Sequence, residues 1–160
     1  MRGVAISPDG KLIAVEFRRG STSFIYKIAV DTGIAIRLTD TKAGVESSPA
    51  FSADGKRITF TYWPTGASHS EIILANVDGS AMQQWSFLGA SAFYPVLSPD
   101  NKTIVFGQSG FYGSYSTIAH ESQEWLPGRS FYHCAGACVL RVWGITRLRR
   151  RAVVFRNDYS

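Results

Sequence analysis

The stretch ISPDGKLIAV, residues 6–15, decides the fold, because the chain writes it three times. It returns as FSADGKRITF at 51–60 and as LSPDNKTIVF at 97–106. In the first copy Pro8 presets φ for a tight turn. Asp9 can fold its carboxylate onto nearby backbone N–H groups, and Gly10 takes positive φ without steric cost. Asp54 and Gly55 repeat the pair, as do Asp100 and Asn101. Asn is the usual non-glycine residue that tolerates the left-handed region. Apolar, β-type runs flank each turn, so each copy predicts a β-hairpin with Asp9, Gly10, Asp54, Gly55, Asp100 and Asn101 as structural turn residues.

The spacing extends the reading. Ser52 follows Ser7 by 45 positions and Ser98 follows Ser52 by 46. Between the hairpins FIYKIAVDTG (24–33) matches EIILANVDGS (71–80), with a weaker third copy in YSTIAHESQE (115–124). Short fourth runs follow: IAIRLT, AMQQWS and, less clearly, EWL at 124–126. Four short strands in about 45 residues are the size of a propeller blade. A lone blade cannot cover both of its faces, and repetition follows from that need.

The phrases SPDGK-x-I-A-V, I-Y-x-I-x-x-D-T-G and R-L-T-D resemble the TolB-like (WD-like) β-propeller repeats of bacteria, over residues 3 to about 126. The resemblance implies an all-β chain: a partial β-propeller of about three four-stranded antiparallel blades, near 3–40, 48–86 and 94–126. It also implies a periplasmic or secreted setting. It fixes no function, because a fold hosts many. Such blades occur in binding proteins and in the propellers of prolyl-oligopeptidase-type peptidases.

Composition agrees with the repeats. The chain has 160 residues, 45% hydrophobic and 13% aromatic, enough for one globular core. No run approaches the roughly 18 apolar residues of a membrane span. No signal peptide is visible before the first hairpin, and three blades do not readily close a ring. The expectation is therefore a piece of a longer propeller, or one that self-associates through open blade ends. Residues 1–128 are nearly neutral, with ten Lys and Arg against eleven Asp and Glu, whereas 129–160 carry seven Arg against one Asp. That Arg-rich segment lacks the repeat's turn chemistry. It reads as a degenerate fourth blade or as frame-shifted sequence.

Candidate chemistry is thin. RLRRRAVVFR (147–156) would suit an anionic surface, but the body is not basic and no nucleic-acid motif accompanies it, so no nucleic-acid partner is expected. His133, Cys134 and Cys138 lack the remaining ligands of a zinc site. The two thiols are open to a disulfide in an exported protein or to remaining free. His120, Glu121 and Glu124 lack the second His of H-E-x-x-H. The three turn aspartates stand one blade apart, too far to share a calcium ion. No G-x-S-x-G and no phosphate-cradling glycine pattern occurs, so no catalytic residue, metal or cofactor is predicted. What remains is a binding module that meets a protein partner through loops on one face of the disc. The longest candidates are RRGSTS (18–23), KAGVESS (42–48), WPTGASHS (63–70) and GQSGFYGSY (107–115), with Trp63, Phe111, Tyr112 and Tyr115 as anchors. The alternative is the propeller portion of a prolyl-oligopeptidase-like or polysaccharide-degrading enzyme.

Overall fold

The computed structural model describes residues 3–39, 41, 43–86, 90–109 and 115–121, the last segment by its backbone. Every regular element among them is a strand. The first group is β1 (Val4–Ile6), β2 (Leu12–Arg19), β3 (Thr22–Ala29) and β4 (Ala35–Arg37). The second is β5 (Gly44–Phe51), β6 (Arg57–Pro64), β7 (Glu71–Asn76) and β8 (Gln83–Gln84). The third is β9 (Ala92–Leu97), β10 (Thr103–Ser109) and β11 (Tyr115–Glu121). Within each group consecutive strands pair antiparallel. One parallel bridge, Ser23 to Val45, staples the first group to the second. The fourth strand expected at 124–126 lies outside the described residues.

The repeated turn forms as its chemistry dictates. Ser7 Oγ donates to Asp9 Oδ1 at 2.6 Å, Lys11 N–H donates to the same oxygen at 3.1 Å, and Leu12 N–H donates to Ser7 Oγ at 2.8 Å. The same three bonds recur around Ser52 and Asp54 and around Ser98 and Asp100. Gly10, Gly55 and Asn101 sit at φ 72°, 69° and 57°. The serine hydroxyls, then the backbone N–H groups, hold all three carboxyls below the usual Asp range.

A second repeated device escapes a reading by turn residues alone. β5 and β9 each bulge just before a proline, with Ser48 at φ 53° and Tyr94 at φ 52°. Pro49 and Pro95 have no N–H to lose from the ladder, so the bulge costs little pairing there. Gly3 packs against the Ser48 bulge so closely that a Cβ would lie 2.8 Å from Pro49 Cδ.

The core lies between the strand groups. Ala14 and Ile25 of the first group meet Ile58, Phe60, Ile73 and Ala75 of the second. Ile72 and Leu74 on the other side of the second group meet Ala92, Leu97, Ile104 and Phe106 of the third. The middle blade is thus covered on both faces, which explains the unbroken apolar run of Ile72, Ile73, Leu74 and Ala75 in β7, all of them buried. Burying a side chain such as Phe60 stabilises by about 1.5–3 kcal/mol.

Candidate interaction face

Antiparallel pairing sorts the connections to two ends. The S-x-D-G/N-K turns and the turns after β3 and β7 share one end, where Val30 N–H donates to Lys11 O and Val77 N–H to Lys56 O, both at 2.9 Å. The β2–β3, β6–β7 and β10–β11 connections share the opposite end with the links from one blade to the next. There Ala92 N–H donates to Ser70 O at 3.0 Å and Thr65 N–H to Ala43 O at 3.4 Å.

By their described residues, the four segments expected to be loops map to this second end, but two of them are mostly strand. Residues 18–23 make a tight hairpin in which only Gly20 and Ser21 leave the ladder. β5 begins at Gly44, so 42–48 is largely the inner strand of the second blade. Their polar, glycine- and serine-rich composition had hidden both. Of the named anchors, Trp63 is the penultimate residue of β6, opposite Val45. Tyr115 opens β11 opposite Ser109. Phe111 and Tyr112 lie outside the described residues, as do Cys134, Cys138 and all of 129–160.

Trp63 is 40% exposed, and Val45 beside it 36%. Its indole N–H donates to Ala67 O at 2.9 Å, closing the 65–70 loop over its own strand. Tyr62 OH donates to Ala43 O at 2.7 Å and ties the same strand to the incoming link. Gly44 makes this approach possible: at φ 149° a Cβ would fall 2.4 Å from Trp63 O. Further along the loop, Ser68 Oγ lies 2.9 Å from His69 Nδ1, and His69 Nε2 lies 3.0 Å from Glu71 Oε1. Burial pushes the Glu71 carboxyl above the usual range, against the lowering by its bonds to Ser86 and His69. This Ser–His–Glu chain has the partners of a proton relay, but it is built within one surface loop. We read it as a clasp that fixes the loop's exit into β7. Residues adjacent in sequence gave no spacing signal that would have found it.

One buried carboxylate, Glu46, ties the first two blades together at this end, and a second, Glu71, closes the second blade on itself. Glu46, fully buried, accepts from Ile25 N–H at 2.8 Å and from the hydroxyls of Thr39 and Thr41. At the next junction Ala92 stands where Glu46 stood. There Ile72 N–H donates to Ser86 Oγ at 2.8 Å, and Ser86 donates to Glu71. Ser23 and Ser70 repeat a further tie, donating to the carbonyls of Glu46 and Ala92 at 2.7 and 2.8 Å. The serine ties and Glu46 bond neighbouring blades to one another at the loop end.

At the turn end, neighbouring blades touch. Asn101 Nδ2 donates to Asp54 Oδ2 at 2.9 Å, and Pro8 Cδ lies 3.6 Å from where a Cβ on Gly55 would be. The turns of neighbouring blades thus contact one another. No cluster of three potential metal ligands occurs among the described residues.

Comparison with known proteins agrees with this architecture. The TolB β-propeller domain model matches residues 3–123. The Tol-Pal system protein TolB of Francisella tularensis subsp. mediasiatica is 31% identical over 78 residues, 49% of this chain and 18% of that protein. Dipeptidyl-peptidase 5 of Porphyromonas endodontalis is 33% identical over 78 residues, 44% of this chain and 11% of the peptidase. A solved TolB-like protein of Agrobacterium tumefaciens superposes with a TM-score of 0.64 at 26% identity, covering 75% of this chain and 44% of that one. The chain thus spans less than half the length of each relative. With the motif, the strand order and the family model in agreement over the same residues, the chain belongs to the TolB β-propeller domain family.

Proposed function

We propose that the chain is a non-catalytic binding module that meets a protein partner through the loop end of its blades, in the periplasm of a bacterium. One observation carries this reading. Trp63 is a large aromatic side chain left 40% exposed yet held by its own N–H bond on a strand anchored from both sides. A pre-ordered aromatic loses little conformational freedom on binding, which is why such residues anchor interfaces. The Francisella relative is by its name a protein of the Tol-Pal system, and the reading carries contact with other proteins to this chain. A photo-crosslinking residue at exposed Thr65, on the loop end, should yield a protein adduct in periplasmic extract. The same residue at exposed Lys56, on the turn end, should not. Adducts from Lys56 alone, or from neither site, would refute the reading.

A second reading is favoured by the match to Dipeptidyl-peptidase 5: the chain as the propeller portion of a hydrolase whose catalytic part lies elsewhere. Genomic sequence separates the two. A downstream α/β-hydrolase pattern would favour the enzyme, and further blades behind a signal peptide the binding protein.

A further inference from the structure

The strand register sets four residues side by side across the loop end. Arg18 pairs with Ser23, Ser23 with Val45 across the junction of the first two blades, and Val45 with Trp63. Laterally paired residues share a face of the sheet, so this row runs from a guanidinium to an indole. Ser23, in its middle, is buried and bonds the junction through Glu46 O. Arg18, Val45 and Trp63 are exposed.

Arg18 is oriented but not neutralised. Its Nε–H donates to Gly20 O at 3.2 Å, within the tight turn of its own hairpin, and its two Nη groups bond nothing among the described residues. The carboxylates on its side are engaged elsewhere. Glu16, next along that side of β2, accepts from Gly3 N–H. Glu46 is buried against Ile25 N–H and two threonines, and Glu71 meets His69 in the one ion pair among the described residues. Arg37 is the contrast: it lies 3.7 Å over the Phe24 ring and donates to Thr41 O, so its cation is occupied within the chain.

A guanidinium with both Nη groups free matches a carboxylate through parallel bonds, and an indole beside a valine matches an apolar side chain. The row is three strand spacings wide, about 15 Å at most. An extended chain covers that width in about four residues, and residues four apart point to the same side. We infer that the loop end takes an extended acidic segment of a protein, with a carboxylate on Arg18 and, about four residues away, a large apolar side chain on Trp63 and Val45. This deepens the proposed function and rests on its loop-end reading. A phosphate polymer or a lipid surface calls for several cations. The row holds one, because Arg19 alternates to the opposite side of β2.

Selection of a random peptide library, displayed on phage, against the immobilised 160-residue chain tests it. Enriched peptides should carry Asp or Glu about four positions from Phe, Trp, Tyr or Leu. Such a peptide, resynthesised, should bind Arg18→Gln and Trp63→Ala each about tenfold more weakly than wild type. Replacing the peptide's acid by its amide should weaken wild type as much and change nothing further in Arg18→Gln. Arg18→Lys, which keeps the charge without the fork, should lose less than Arg18→Gln, and Lys56→Ala, at the turn end, should bind as wild type. Selected peptides without an acid, a loss with only one of the two variants, or no enrichment would overturn this inference and leave the loop-end reading to the Thr65 adduct. Peptides that bind both variants as wild type would overturn both. Phosphatidylglycerol vesicles are the second probe: Arg18-dependent binding to them with no peptide selected would mark an anionic surface, not a peptide, as the partner.

Discussion

Removing the Glu46 side chain should cost more than any other single truncation at the loop end. Glu46→Ala leaves the Ile25 amide buried without an acceptor, at about 1–3 kcal/mol. Thr39, also buried, loses its acceptor, while half-buried Thr41 can turn toward water. The vacated volume adds about 1 kcal/mol or more, and release from burying a charge returns part of the total. The net expectation is a loss of about 3 kcal/mol, a large share of the 5–15 kcal/mol typical of a folded domain. Glu46→Gln keeps an acceptor for Ile25 and should cost about 1 kcal/mol. Urea denaturation followed by tryptophan fluorescence, at one low protein concentration, gives both values. Glu46→Ala within about 0.5 kcal/mol of wild type would refute the view that this carboxylate joins the first two blades.

Other outcomes follow from the turns, the clasp and the lack of a G-x-S-x-G pattern in the sequence. Gly55→Val places a β-branched residue at φ 69° and should destabilise by on the order of 1 kcal/mol or more, read as a lower melting temperature. Asn101→Gly relieves similar strain but gives up the bond to Asp54, so the two effects offset and the melt should barely move; Asn101→Ala loses on both counts and should melt lower. The Glu71 carboxyl has a raised pKa in the folded state, so it binds a proton more readily there. Its contribution makes stability increase as pH falls from neutrality toward 4.5, and Glu71→Gln should abolish that increase. Asp9, Asp54, Asp78 and Asp100 have lowered values and act oppositely, so stability should fall as pH drops below 3.8. Ester, peptide and oligosaccharide substrates should show background turnover with wild type and with Ser68→Ala alike; turnover lost in that variant would make the Ser68–His69–Glu71 chain catalytic.

The hairpins were legible because their turn chemistry is local. Ser7, Asp9 and Gly10 bond within six residues of one another, so a repeat of those types is a repeat of that turn. The bulges at Ser48 and Tyr94 were not legible, since nothing in either residue type demands positive φ; they show only in the register shifts of the inner strands against their partners. The start of β5 was missed for a related reason. Gly44, Glu46, Ser47 and Ser48 look like a loop in isolation; pairing with β6, Glu46 opposite Tyr62, makes them strand, and the first blade's Ile25 amide satisfies the buried Glu46 carboxylate. Trp63 stood out as an exposed aromatic, but the bond that orients it runs to the backbone of Ala67, which no side-chain pattern encodes.

The most direct measurement of the functional account is the dissociation constant for the protein captured through Thr65, once purified, against wild type, Trp63→Ala and Lys56→Ala. Truncating the anchor should weaken binding by about tenfold or more, the scale of an aromatic hot spot, while the turn-end change leaves it within twofold. Equal affinity for wild type and Trp63→Ala, with the loss falling on Lys56→Ala, would contradict the assignment of binding to the loop end.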